Sequence, residues 1–426
     1  MPEPQPSYRE RQYTIFQQDD NHNNSAESSV SDKLFYMKQH FKSTKGKFKN
    51  PHKEREQNNT MDDNVMSTRQ DFVQFDRLQQ FRNQCESYNL LTNNTNSDEG
   101  MKVLYSKQYR LAYRLVPKIG STFMIQVYSI LENNGKTGNL LNLPRSSIHN
   151  KRVDRFRKII SLSSLNTYTF LVMARNPYSR LYSAYIDKVY ILNNLNLCSD
   201  IHSTLFRKKE RMFLCKFDIS FEQFLEYYLD KGGSVLSGHY NPILSHKIAR
   251  KLCNLQNIII VKQETFSEDM DHVFKSVHVK GKEYDVIYDV MHSKQTKITI
   301  GSIVKTVYQR FSSSLSLVTC LTWKEIAKKL WKSFQIQGYI NEKSQFPEKK
   351  YQNLNDYKSD KYLIKVILQE VRRNPLSHEE KIKQRNEALI KAFTGVDKKY
   401  LRKIRELYAM DFNMFQYKTN LLQTLT

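Results

Sequence analysis

Two strand–loop–helix patterns constrain this chain more than any other feature. An apolar run, Leu111 to Val116, gives way to Pro117-Lys118-Ile119-Gly120-Ser121-Thr122, after which Phe123 to Leu131 carries apolar residues at helical spacing. The pattern returns at Thr167 to Ala174, followed by Arg175-Asn176-Pro177-Tyr178-Ser179-Arg180 and then Leu181-Tyr182-Ser183-Ala184-Tyr185. Short β-branched and aromatic runs beside 3.6-residue periodicity predict strand, tight loop and helix in both places. A third buried strand is expected at Asn257 to Val261, ahead of an acidic helix start at Ser267-Glu268-Asp269. Strands alternating with helices fold as an α/β protein with a central, mostly parallel sheet and right-handed crossovers.

In such sheets ligands bind beyond the carboxyl ends of the strands, where helix N-termini present their N–H groups. The first loop suits an anion: Gly120 lets the backbone approach closely, Ser121 and Thr122 donate hydroxyls, and Lys118 supplies charge. The GxxxxGK[ST] pattern is absent, so ATP hydrolysis is a poor fit. In the second loop Arg175 follows the strand directly, Pro177 can begin the helix, and Arg180 and Ser183 share a helix face three residues apart. An Arg at a strand end and a Ser further into the helix can grip one phosphate together. Taken singly, each loop reads equally well as an ordinary strand–helix turn. Taken together and in this order, they suggest a ligand phosphorylated at both ends.

The formal net charge of +24, from 67 Lys and Arg against 43 Asp and Glu, favours a polyanionic partner such as nucleic acid, an anionic membrane surface or an acidic polysaccharide. No basic–aromatic pattern of a nucleic-acid module accompanies it, so no nucleic acid is expected. Residues 1–100 are polar and expected to be a largely disordered tail, with two apolar patches, near Leu34-Phe35-Tyr36 and at Phe72 to Phe81, that can form short helices. Residues 101–420 are expected to form the functional domain, with a probable insertion at 284–373 that shows no site motif. Five scattered cysteines fit neither a zinc ribbon nor a CxxC redox pair; Cys198 and Cys215 would close a loop in an oxidising compartment, or remain ordinary buried thiols. No ligand-spaced His/Cys/Asp cluster appears, so no metal is expected. Neither a transmembrane stretch nor an apolar signal-peptide core is legible.

These loops resemble the PAPS-dependent Golgi carbohydrate sulfotransferases of the chondroitin and dermatan 4-O-sulfotransferase type. The family's K-V-A-C-T loop looks like Lys118-Ile119-Gly120-Ser121-Thr122, with Ser121 in place of its Cys, and its R-x-P-F-x-R-L-x-S-A-Y looks like Arg175 to Tyr185. An H-W-x-x-x segment is similar to His239-Tyr240-Asn241-Pro242, and D-x-x-G-K-x-E-T-L-x-E-D to Ile258 through Asp269, including Lys262, Glu264 and Thr265. The family's closing Leu-Tyr-x-x-Asp-Phe-x-Met-Phe-x-Tyr is matched from Leu407 to Tyr417. The family's cysteine pair before the third strand is reduced to Cys253, with Arg250 at the other position.

The resemblance implies a P-loop-like three-layer fold and transfer of a sulfuryl group from PAPS (3′-phosphoadenosine 5′-phosphosulfate) to a glycan hydroxyl. Lys118, Ile119, Gly120, Ser121 and Thr122 would then hold the 5′-phosphosulfate, and Arg175 with Arg180 and Ser183 the 3′-phosphate. It further implies a lumenal Golgi membrane location, and a glycan acceptor that the chain's charge suggests is anionic. The acceptor hydroxyl benefits from a general base, most often His. His149, between the first loop and the second strand, is the favoured base; His239 is the alternative or a substrate contact. The rival readings are a nucleotide- or nucleic-acid-binding basic protein and a catalytically dead glycan-binding relative.

Overall fold

The computed structural model describes residues 60–91, 100–136, 148, 157–206, 215–230 and 238–421. Its five strands are β1 (Met101–Ser106), β2 (Leu111–Tyr113), β3 (Arg157–Ile160), β4 (Thr169–Ala174) and β5 (Ile258–Lys262). They form one sheet in the order β3-β1-β2-β4-β5. β2, β4 and β5 run parallel, with Tyr113 opposite Leu171 and Ala174 opposite Lys262. β1 is antiparallel to both β2 and β3. The three parallel strands lie where their β-branched and aromatic runs place them. The antiparallel edge was not foreseen, because the half-exposed Arg-Lys-Ile-Ile of β3 carries too little apolar signal.

Helix α2 (Ser121–Leu131) is buried at nearly every position, as suits a segment that is apolar all round. It leaves the end of β2. Helix α3 (Pro177–Tyr185) leaves the end of the neighbouring β4, with Pro177 in its first turn and Asn176 accepting from the N–H groups of Tyr178 and Ser179. The two loops therefore open side by side on one edge of the sheet. A short π-helix, Ile186–Tyr190, continues α3.

Within the stretch expected to be tail, a helix runs over Thr60–Ser87. Its own apolar face is weak, which is why the sequence reads as disordered. Tertiary contacts hold it instead. Phe81 is fully buried, Arg77 pairs with Asp269 at 2.7 Å, and Cys85 is bonded to Cys253. Cys253, with Arg250 at the partner position that the resemblance implies, finds a partner in the N-terminal region instead. The bond closes a separation of 168 residues. Cys85→Ser is expected to destabilise the fold by about 2–5 kcal/mol, read as a fall in melting temperature of the oxidised protein; reductant, which opens both disulfides, should lower it at least as far in the unmutated protein.

The other disulfide joins Cys215 to Cys320 and leaves Cys198 a buried thiol, so of the two readings left open for Cys198 and Cys215 the loop-closing bridge is corrected and the buried thiol holds for Cys198. Residues 284–373 are helical where structured, including Gln295–Ser313, Trp323–Ile336 and Asp360–Arg373. They do not form a core of their own: Ile300, Phe311, Leu330 and Val366 pack in one cluster with Leu181, Ile201 and Phe224.

Candidate active site

The first loop enters α2 through two left-handed residues, Lys118 (φ 69°) and Gly120 (φ 73°). Gly120 is the N-cap and caps α2 without a side chain, a geometry that presents helix N–H groups to an anion. A Cβ at Gly120 would meet Phe266 and Gln263 at ordinary contact distance, so the requirement for glycine there is conformational. The Lys118 ammonium pairs with the Asp187 carboxylate at 2.9 Å, and both side chains are more than nine-tenths buried.

The second loop is tied directly to the first. Arg175 donates from Nη1 to the Lys118 carbonyl at 2.8 Å and from Nε to Ser179 Oγ at 3.0 Å. Burial draws its pKa down to about 10, opposed by Glu264 and reinforced by the guanidinium groups of Arg385 and Arg180. The Asn176 N–H donates to Glu264 Oε1 at 2.9 Å, and Tyr417 OH donates to Glu264 Oε2 at 2.8 Å. Glu264 thus links the second loop to the C-terminal segment, while Lys262 lies over the Tyr417 ring at 4.9 Å. Ser183 is half-buried on α3.

Arg180 behaves differently from the sequence expectation. It is 1% exposed, and its guanidinium donates to the carbonyls of Pro117, Gly238 and Asn241. Its contacts are protein backbone, so it links the first loop to residues 238–241 and does not present itself as a phosphate ligand. His239 lies inside the segment that Arg180 holds. The neighbouring Tyr240 carbonyl accepts from Tyr228 OH and Tyr408 OH. The N–H groups of Ile243 and Leu244 donate to Asp411 at 2.7 and 2.8 Å. Burial pushes the Asp411 carboxyl up to about 6, against the pull of those N–H groups and of Arg180 and Arg114. His149 lies outside the described residues.

The structure therefore ties Arg175 to the first loop at Lys118 and, through Arg180, ties Pro117 to the segment that contains His239. Sequence reasoning missed Asp187, which is distant in sequence from the lysine it holds, and it quoted Asp411 within the closing motif without giving it a partner. Among the described residues no group of three or more His, Cys, Asp or Glu is arranged to hold a metal ion. No helix among them is long and apolar enough to cross a membrane.

With this geometry in place, the comparisons with known proteins agree. Residues 101–332 match the model of the sulfotransferase family, more than half of the chain, and the chain belongs to that family. It is 24% identical over 189 residues to carbohydrate sulfotransferase 11 of Danio rerio, covering 41% of this chain and 52% of the relative. Against carbohydrate sulfotransferase 10 of Gallus gallus the identity is 23% over 224 residues, 49% of this chain and 62% of the relative. Against carbohydrate sulfotransferase 9 of Homo sapiens it is 25% over 190 residues, 41% of each. The chain spans about half the length of the first of these relatives. No solved structure matches it.

Proposed function

We propose that this chain is a PAPS-dependent carbohydrate O-sulfotransferase. The observation that carries the reading is the bond between Arg175 and the Lys118 carbonyl, which fixes two anion-ready loops side by side at the ends of parallel strands. The donor set fits a nucleotide phosphorylated at both its 3′ and 5′ positions. A glycine-capped helix start and a buried lysine side chain make one anion site, and a half-buried arginine beside Ser179 makes the other. When bound, PAPS supplies an activated sulfuryl group for transfer to a hydroxyl.

Lys118 and the α2 N-terminus would hold the 5′ end and offset the negative charge that grows there during transfer. Arg175 and Ser183 would hold the 3′-phosphate. Arg180 is a positioning residue, since its three carbonyl contacts set Pro117 and the 238–241 turn relative to each other. His149 is proposed as the base that takes the acceptor's proton. His239, fixed by the Arg180 and Tyr408 contacts on either side, is its alternative or an acceptor contact.

The relatives named carbohydrate sulfotransferases support a glycan acceptor, and the net charge of +24 favours an anionic one. Two disulfides support an oxidising compartment, in keeping with the lumenal side of the Golgi membrane. Residues 101–420 would form the catalytic domain, with 284–373 as its accessory helical part.

The test is thermal stabilisation by 3′-phosphoadenosine 5′-phosphate, AMP and ATP, each at equal concentration. At about 100 times its Kd the bisphosphate adds about 2.7 kcal/mol of stability, while AMP, lacking the 3′-phosphate, adds far less. Equal shifts with AMP and the bisphosphate overturn the two-site reading.

A further inference from the structure

Asp187 is buried in the short π-helix that follows α3, a kind of helical irregularity found often at functional sites. It has several partners. One carboxylate oxygen meets Lys118 Nζ at 2.9 Å and lies 3.7 Å from Lys188 Nζ, and the other accepts from Asn193 Nδ2 at 2.7 Å. Asn193 Oδ1 in turn accepts from Arg310 Nη1 at 3.0 Å, and the same nitrogen reaches the Leu192 carbonyl at 3.1 Å. Arg310 belongs to the accessory helix Gln295–Ser313. Lys118 and Leu192, near the two ends of this chain of contacts, are both non-glycine residues in the left-handed region, at φ 69° and 61°. Such conformations persist only where surrounding contacts over-determine them. The Asp187 charge also acts on Arg310, favouring its protonated form against burial.

We propose that Asp187, held by Asn193 and Arg310, is a positioning residue for Lys118, so that an accessory helix sets where the first loop's charge points. The proposal rests on the reading of Lys118 as the charge that meets the 5′ end of the cofactor. Before cofactor binds, the Asp187 carboxylate keeps the lysine charged and aimed. Arg310 keeps Asn193, and through it Asp187, from turning away. This also gives residues 284–373 a part in the site although they carry no site motif of their own.

The experiment measures acylation of Lys118 by acetic anhydride in the full chain without ligand, read by peptide mass spectrometry, with the buried Lys262 as internal reference. The anhydride attacks the neutral amine, and a buried lysine deprived of its carboxylate partner is neutral more often. Asp187→Asn is expected to speed Lys118 acylation about tenfold, the equivalent of one pKa unit, with Lys262 unchanged. Asn193→Ala, which alters no buried charge, and Arg310→Ala are each expected to give about a threefold rise. The Asp187→Asn/Arg310→Ala pair is expected to match Asp187→Asn alone, since residues in one network are not additive. Unchanged Lys118 labelling in Asp187→Asn and Asn193→Ala overturns the proposal, as does a rise shared equally by Lys262, which marks general loosening. Bisphosphate that fails to shield Lys118 in the unmutated protein counts against the cofactor reading instead.

Discussion

Lys118→Ala is expected to weaken binding of 3′-phosphoadenosine 5′-phosphate by about 10- to 150-fold, the equivalent of one hydrogen bond to a charged group. Sulfuryl transfer is expected to fall further, by about another 10²–10³, because the developing charge loses a preorganised partner. The same change should also destabilise the empty protein. Lys118 and Asp187 are paired while buried, and removing the lysine takes away the nearer of the two ammonium groups beside the carboxylate. Breaking such a pair costs about 3–5 kcal/mol; Asn193 and Lys188, which remain near Asp187, favour the lower end. Adding Asp187→Asn to Lys118→Ala should restore melting temperature without restoring affinity. Calorimetric titration and a melting curve on the two variants separate the roles. Recovery of affinity in the double variant would show that Lys118 acts only as a structural counter-ion.

Arg175→Met is expected to lower bisphosphate affinity at least tenfold while changing AMP affinity much less, because the charge-assisted contact it removes is to the 3′-phosphate. Its stability should change less than that of Lys118→Ala. Burial pulls the Arg175 pKa down to about 10, with Glu264 opposing it, so an apolar side chain of similar length relieves a desolvated charge. The same change removes the bonds to the Lys118 carbonyl and Ser179 Oγ, and the two effects should nearly cancel in the melting temperature. The quantity to measure is the ratio of bisphosphate to AMP affinity. A variant that melts early yet keeps that ratio would make Arg175 a scaffold residue.

The strands that position both loops were legible because each is a compact β-branched or aromatic run. The loops were legible because their signals are local: Lys118 and Gly120 follow the end of β2 and Arg175 follows β4 directly. Arg180 shows where local reading stops. Its shared helix face with Ser183 suggested a common phosphate, but the direction of its guanidinium is set by the carbonyls of Gly238 and Asn241, which arrive from a distant return of the chain. The Thr60–Ser87 helix was hidden for a related reason, since Arg77 and Cys85 are stabilised by Asp269 and Cys253 and not by a helical apolar stripe. The link from Lys118 through Asp187 and Asn193 to Arg310 joins three separate segments of sequence, and no periodicity or spacing encodes it.

The C-terminal contacts bear on the order in which this chain can fold. Tyr408 holds the carbonyl beside His239, Asp411 holds the N–H groups of Ile243 and Leu244, and Tyr417 holds Glu264 behind the second loop. All three residues lie beyond position 332, where the family match stops. A ribosome makes them only after every catalytic candidate has already emerged. The loops can form early in synthesis, but their alignment must wait for a segment translated at least 140 residues after Glu264. A fragment trimmed to the family match would therefore keep the cofactor motifs and lose the braces that make them a site.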